Sequence, residues 1–270
     1  MPEALTDGER WTREELERLR RDRFAPRAVA RFLDASFARS AAVREERPDL
    51  VRQSRRWIAA GALAYVAAPG LAGKRAALAW WAAVALMLDW HLGMLETPEG
   101  EPRPLGPADA LTLARAWLVP VAAQRPTASV YLVAALTDAL DGPVARATGP
   151  TRAGRDLEAL VDACFTTAAL RGLASDGRLP RAAIAAEATR VGAGFGYAFT
   201  TYFARAQPPD DALLHAARAS TVLRVAGIVA AASGKRRTGT ALVAVGCAWS
   251  VSLAAGSRAS SRAGSATPAA

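Results

Sequence analysis

The feature that most constrains this 270-residue chain is a run of acidic residues between strongly apolar segments, over residues 138–162. The stretch carries its acids in two pairs, Asp138 with Asp141 and Glu158 with Asp162. Spacings of three and four residues place each pair on one face of a helix, one turn apart. Gly149-Pro150 interrupts the helical pattern between the pairs. The sequence therefore predicts two helices, joined by a short turn, that present four carboxylates toward one space.

Four carboxylates at such close range repel one another unless cations lie among them. Hard divalent ions take oxygen ligands and can bind the oxygens of a diphosphate at the same time. Arg146 would add positive charge for that diphosphate, and Gly142 and Gly154 leave room for a ligand near the backbone. Two solvated helix faces would also explain an isolated Asp-x-x-Asp. Here the acids flank the apolar runs VYLVAAL and ALVDACFTTAAL, where uncompensated acids are costly and indicate function.

This stretch resembles the signature of the CDP-alcohol phosphotransferase (CDP-alcohol phosphatidyltransferase) family, Asp-x₂-Asp-Gly-x₂-Ala-Arg, then Gly-x₃-Asp-x₃-Asp. The matching residues are Asp138, Asp141, Gly142, Ala145, Arg146, Gly154 and Asp162. The third acid of the family is Asp, whereas this chain has Glu158, which keeps the carboxylate but adds a methylene. Because Mg²⁺ is strict about coordination geometry, the metal geometry or preference can differ here. Upstream, Asp109, Thr112 and Arg115 resemble the family's Asn-x₂-Thr-x₂-Arg, with Asp in place of Asn.

The resemblance implies an all-α integral membrane protein with a six-transmembrane-helix bundle, which we place at residues 106–256. A charged cytosolic helical arm at 1–56 and an apolar helical hairpin at 57–95 precede it, and a disordered tail at 257–270 follows. The apolar runs of the hairpin are short for a bilayer crossing of about 20 residues. A transmembrane hairpin and an interfacial one therefore both stay open. The arm is interpreted either as a solvated helical pair or as an amphipathic surface on anionic lipid.

The resemblance also implies a metal-dependent transferase of phospholipid biosynthesis. Such an enzyme moves a phosphatidyl-type group from a CDP-linked lipid such as CDP-diacylglycerol to an alcohol and releases CMP. The four acids would hold two Mg²⁺ (or Mn²⁺) ions, and Asp162 would also be the general base toward the acceptor hydroxyl. The nucleotide and diphosphate would contact Gly142, Ala145, Arg146, Gly154, Thr112 and Arg115. A homodimer is a further expectation from the family.

The acceptor alcohol is not determined by these motifs. Arg205, Arg218 and Arg224 flank the later helices and are candidates for binding a phosphorylated acceptor. Glycerol phosphate and inositol phosphate both stay open. Ordinary arginines at the cytosolic ends of membrane helices would give the same pattern.

The net charge of +9 favours an anionic partner. Arginines beside apolar runs fit a membrane surface better than nucleic acid, for which no recognition motif is present. Counting the spans places the four acids on the cytosolic side, and the cluster Lys235–Arg237 is the main exception to the positive-inside rule. Cys164 and Cys247 lie in apolar runs and are interpreted as buried thiols.

Two other functions remain as alternatives. The first is a catalytically impaired membrane protein of the same fold, acting as a scaffold or lipid-binding partner; Glu158 and Asp109, which depart from the family pattern, motivate it. The second is a prenyl-type transferase, which also binds diphosphate through acidic helices. It is less favoured because its acid boxes lie far apart in sequence, whereas both pairs here lie in one predicted helical hairpin.

Overall fold

The computed structural model describes residues 6–97, 99–149, 151–206 and 210–264. These ranges are helical throughout, apart from turns and one isolated bridge between Glu96 and Pro102. The predicted all-α class is therefore confirmed. The helices are α1 (Asp7–Arg21), α2 (Pro26–Glu46), α3 (Pro48–Ala67), α4 (Lys74–Trp90), α5 (Pro107–Gln124), α6 (Ala128–Thr148), α7 (Arg152–Ser175), α8 (Arg181–Ala198), α9 (Asp211–Ala232) and α10 (Arg236–Gly264).

The chain divides into two compact units, each with its own packing. The first comprises the residues up to Gln124 together with Val133–Phe165, and the second comprises Arg125–Leu132 together with the residues from Thr166 onward. The acidic ends of α6 and α7 belong to the first unit.

The α3–α4 hairpin packs on α5 in the first unit through an aromatic cluster. The ring of Tyr65 stacks on Trp117 with centroids 4.8 Å apart, and the Tyr65 hydroxyl donates to the Trp117 carbonyl. The Trp81 indole donates to the Ile58 carbonyl at 2.7 Å. Gly61 makes this approach feasible, because a Cβ at that position would lie 2.2 Å from the Trp81 ring. Small residues therefore decide how closely the hairpin helices approach.

The N-terminal arm begins with a capped helix. Thr6 and Glu9 form a capping box at the start of α1, in which each side chain accepts from the other residue's backbone N–H. Leu16 and Leu19 of α1 pack with Ala28, Phe24 and Phe32 in a small core of their own. Helix α3 runs through residues 56 and 57, so the predicted boundary between arm and hairpin falls inside a continuous helix.

Close contact between α9 and α10 organises the second unit. A Cβ on Gly227 would lie 2.9 Å from the Gly239 carbonyl oxygen, and one on Gly246 would lie 2.9 Å from the Ser220 carbonyl oxygen. Glycine permits backbones to approach in this way, as in helix pairs packed within lipid. A π-helical turn at Phe199–Ala204 extends α8.

The six helices α5–α10 begin at Pro107 and end at Gly264, and a transmembrane bundle over residues 106–256 stays a prediction. Among the described helices, the segment Arg236–Ala255 is long and apolar enough to cross a membrane. The structure thus supports one membrane span by length and composition, and the count of six is not confirmed. Residues 257–264, expected in a disordered tail, form the last turns of α10, while 265–270 lie outside the described residues.

Candidate active site

The two acidic helices bring three of the predicted metal ligands together. Carboxylate oxygens of Asp138 on α6 and of Glu158 and Asp162 on α7 all lie within 4.8 Å of one another. The side chains are 42%, 43% and 38% exposed respectively, so the cluster is open to a ligand. The extra methylene of Glu158 does not remove its carboxylate from this group.

A buried guanidinium lies at the centre of the acids. Arg115 of α5 is 2% exposed, and its Nε lies 2.8 Å from Asp162 Oδ1. Its Nη2 lies 3.1 Å from Asp141 Oδ2 and 4.0 Å from Glu158 Oε1, and its Nη1 lies 3.5 Å from Asp138 Oδ1. One monovalent cation therefore contacts all four acids and offsets part of their mutual repulsion.

Asp141 differs from the other acids because it is buried. It is 6% exposed, and Thr112 Oγ1 donates to its Oδ2 at 2.9 Å. The helix spacing of three residues from Asp138 directs it toward α5, where Thr112 and Arg115 stand one turn apart. The structure thus places the upstream Thr-x₂-Arg residues against the acid cluster.

The donor set fits hard divalent cations. Carboxylate oxygens are the ligands that Mg²⁺ and Mn²⁺ take, and these acids carry more negative charge than Arg115 neutralises. Clustered acids that bind a diphosphate through metal ions suit a phosphoryl-group transferase.

A family model for CDP-alcohol phosphatidyltransferase matches residues 107–257, which is more than half of the chain. The chain belongs to the CDP-alcohol phosphatidyltransferase family. No curated protein and no solved structure matches the chain significantly. The predicted resemblance is confirmed, and the helices before residue 107 lie outside the matched region.

Membership identifies the chain as an enzyme that transfers a phosphatidyl group from a CDP-alcohol to an alcohol acceptor. CDP-alcohol phosphatidyltransferases are membrane-associated and generally use a divalent metal. The apolar segment of α10 and the acid cluster agree with these two properties.

Gly154 of the CDP-alcohol phosphatidyltransferase motif faces Asp109 at the start of α5. A Cβ at position 154 would lie 2.2 Å from Asp109 Oδ1, so no other residue fits without movement. That Oδ1 accepts from the Thr151 hydroxyl at 2.6 Å, and Thr151 Oγ1 in turn accepts from the Gly154 N–H at 2.9 Å. The motif glycine thus has a packing reason in this chain, besides its predicted place near the nucleotide.

The other motif residues remain accessible on α6. Arg146 is exposed, and Gly142 lies beneath it, since a Cβ there would be 3.3 Å from Arg146 Nη1. Ala145 is half-buried. An exposed guanidinium one turn beyond Gly142 is free to approach an anionic ligand.

An apolar cavity of about 230 Å³ lies in the first unit, between residues of α4, α5 and α7. Trp80, Leu113 and Leu160 contribute to its walls, and Asp109 and Thr112 also line it. Because α4 supplies part of the wall, the hairpin before the matched region completes this cavity. Sequence reasoning did not find it, because no local pattern shows which hairpin face meets α5.

The candidate acceptor arginines belong to the second unit. Arg205 and Arg218 are exposed, whereas Arg224 is buried and donates to Glu187 Oε1 at 3.1 Å. Glu187 is 0% exposed and also accepts from Arg190 Nη2 of the same helix at 2.6 Å. Arg224 therefore neutralises a buried acid, a role that its sequence position alone did not reveal.

Proposed function

We propose that the protein transfers the phosphatidyl group of a CDP-linked lipid, such as CDP-diacylglycerol, to a phosphorylated alcohol and releases CMP. The observation that carries the proposal is the convergence of Asp138, Glu158 and Asp162 within 4.8 Å. The apolar cavity of the first unit, which Thr112 and Gly154 help to line, suits a donor with a lipid portion, because such pockets bind apolar groups with few polar contacts.

The four acids would hold two Mg²⁺ or Mn²⁺ ions, which when bound neutralise the diphosphate and stabilise the CMP leaving group. In this proposal Arg146 binds diphosphate oxygens from its exposed place above Gly142. Arg115 and Thr112 hold Asp141 in a fixed orientation through hydrogen bonds of 3.1 and 2.9 Å.

Asp162 would accept the proton of the acceptor hydroxyl. The acceptor oxygen then forms a bond to the phosphorus that carries the diacylglycerol, and the bond from that phosphorus to CMP breaks. Asp162 is oriented by Arg115 Nε at 2.8 Å, which restrains its carboxylate. A carboxylate beside cations is a weak base, so orientation contributes more than basicity.

The exposed Arg205 and Arg218 are proposed to bind the phosphate of the acceptor, whereas the buried Arg224 pairs with Glu187 and is not proposed to bind it. We place the acids on the cytosolic side of the membrane. Apolar side chains exposed on α6, among them Leu136 and Leu140, suit contact with lipid. A homodimer stays a prediction from the family.

The test is lipid synthesis by the purified full chain in detergent micelles or nanodiscs. CDP-diacylglycerol is supplied with radiolabelled glycerol phosphate or inositol phosphate, with Mg²⁺, Mn²⁺ or a chelator, and products are separated by thin-layer chromatography. We expect metal-dependent labelled lipid and stoichiometric CMP, both lost in Asp162→Asn. Asp176→Asn is the matched control, since Asp176 pairs with Arg178 in the second unit.

The scaffold alternative makes the opposite prediction. A folded protein that binds Mn²⁺ but yields no lipid product with either acceptor, at any metal concentration, would support a non-catalytic role. Because Glu158 reaches the acid cluster despite its departure from the family pattern, the geometry favours the enzyme.

A further inference from the structure

Arg152, the first residue of α7, ties the N-terminal arm to the connection between the acidic helices. Its Nη2 forms an ion pair with Glu9 of α1. Its Nη1 lies 3.3 Å from Glu96 Oε1 and donates to Thr6 Oγ1 at 3.0 Å. Its backbone N–H donates to the Glu96 carbonyl at 3.3 Å. One side chain thus joins three segments that are distant in sequence.

These contacts are largely removed from water. The side chains of Arg152 and Glu96 are 13% and 5% exposed, and Thr6 is buried. The exposed pair between Asp7 and Arg10 on the same helix has side chains that are 85% and 57% exposed. Exposed ion pairs contribute little to the free energy of folding. Breaking a buried ion pair destabilises the fold because it leaves an uncompensated charge away from water. Arg152 is therefore a largely buried link between the arm and the start of α7.

The same short segment is fixed on its other side by residues that precede or begin α5. The Arg103 guanidinium donates to the Thr148 carbonyl. Thr151 donates to Asp109 at 2.6 Å, and Asp109 accepts from the Gly106 N–H at 2.7 Å. The start of α7 is consequently held by residues from the arm, from the linker near residue 100, and from α5.

Glu158 and Asp162 follow Arg152 on the same helix, within about three turns. A helix is stiff over that length, so a rotation or shift at its first residue moves both carboxylates relative to Asp138 on α6. Misplacement by about 1 Å in an active site can lower a rate by about a hundredfold.

We propose that Arg152 is a positioning residue, through which the N-terminal arm sets the place of Glu158 and Asp162 in the metal site. Residues before the matched family region thereby take part in forming the active centre. The activity readout of this inference rests on the proposed transfer reaction, whereas its metal-binding readout does not.

The experiment compares full-length variants by Mn²⁺ binding, followed by electron paramagnetic resonance, and by steady-state kinetics. Arg152→Gln removes the guanidinium that contacts Glu9, Glu96 and Thr6. Glu9→Gln removes the charged partner on the arm while keeping a side chain that serves in a capping box. Arg152→Lys tests rescue by charge. Asp7→Asn is the matched control, because it removes an exposed ion pair from the same helix.

We expect Arg152→Gln to weaken Mn²⁺ binding about tenfold and to lower kcat by about ten- to a hundredfold, with donor KM changed less than about threefold. Glu9→Gln should shift both quantities in the same direction by less, Arg152→Lys should recover part of the loss, and Asp7→Asn should match the wild type.

Unchanged Mn²⁺ affinity and kcat in Arg152→Gln and Glu9→Gln would overturn the proposal, even if melting temperatures fall, since Arg152 would then serve folding alone. If Arg152→Gln does not fold, Glu9→Gln decides by the same criteria. If the wild type binds Mn²⁺ without forming lipid, the proposed function fails while Mn²⁺ affinities still test the positioning role.

Discussion

Replacing Arg115 by methionine is the most informative perturbation of the acid cluster. Methionine is unbranched and apolar, so it fills much of the space while removing the guanidinium. Without that cation, Asp141 keeps a buried charge with Thr112 as its hydrogen-bond donor at 2.9 Å. The remaining acids keep their mutual repulsion. The variant should therefore be less stable in the absence of metal.

The magnitude follows from the four distances. The contact at 3.1 Å is a charge-assisted hydrogen bond to the buried Asp141 and contributes about 1.5–3 kcal/mol. The ion pair at 2.8 Å reaches Asp162, whose side chain is 38% exposed, and contributes about 1 kcal/mol. The contacts at 3.5 and 4.0 Å reach carboxylates that are about four-tenths exposed, and solvent reduces each to about 0.5 kcal/mol. Relaxation of the acids toward water limits the total to about 3–5 kcal/mol, the usual cost of breaking a buried pair. For a protein of this size the melting temperature should fall by on the order of 10 °C.

The assay is thermal unfolding of the purified protein in detergent, with chelator and with increasing Mg²⁺. Ions that bind only the folded state stabilise it. Arg115→Met should therefore gain more from Mg²⁺ than the wild type does, because the guanidinium no longer competes for the same carboxylates. Arg146→Met is the control, since that exposed arginine should change stability by less than about 0.5 kcal/mol.

Two results would refute this reasoning about Arg115. One is a melting temperature within about 2 °C of the wild type in chelator, which would mean that the acids need no internal cation. The other is an equal loss of stability in Arg146→Met, which would show that any arginine near the motif has this effect.

Three further predictions concern other sites. Gly154→Ala should lower lipid synthesis at least about tenfold, because its Cβ would lie 2.2 Å from Asp109 Oδ1, so that either α7 shifts or Asp109 leaves its hydrogen bonds with Thr151 and Gly106; kinetics and Mn²⁺ binding check this. Burial raises the pKa of the Glu96 carboxyl group, so this group binds a proton more readily in the folded protein than in the unfolded chain. The stability that its protonation contributes is therefore lost as pH rises through the pKa of the folded state. Wild type should therefore gain melting temperature relative to Glu96→Gln as pH falls from about 8 to about 5, and a difference independent of pH would contradict it. Glu187→Ala should cost about 3–5 kcal/mol, because Arg224 is then left buried without its carboxylate, and Glu187→Ala with Arg224→Met should recover part of that loss in thermal unfolding.

The acid cluster was the most predictable part of the site. The spacing of Asp138 and Asp141 and that of Glu158 and Asp162 place each pair on one helix face, since helix geometry alone sets that relation. The same local pattern predicted the family and the all-helical class, and both predictions are confirmed. The helices themselves were predictable because apolar periodicity and Gly-Pro breaks are local signals, which extend over a few neighbouring residues.

Contacts between distant segments could not be predicted in the same way. Arg224 has the position of an arginine at a helix end, yet it neutralises the buried Glu187 37 residues earlier. The pairing of Arg152 with Glu9 and Glu96 joins residues for which no sequence pattern indicates a partner. A charge finds its partner through helix packing, which depends on side-chain shape along entire surfaces.

By itself, the amino-acid sequence determined the four acids, their helical phase and the family, because each depends on residue type and near-neighbour spacing. Only the tertiary structure decided that Arg115 lies among those acids, and that Gly154 is required by the approach of Asp109. The physical reason is that helix geometry is set by hydrogen bonds four residues apart, whereas the partner of a buried charge is set by which helices come to lie side by side.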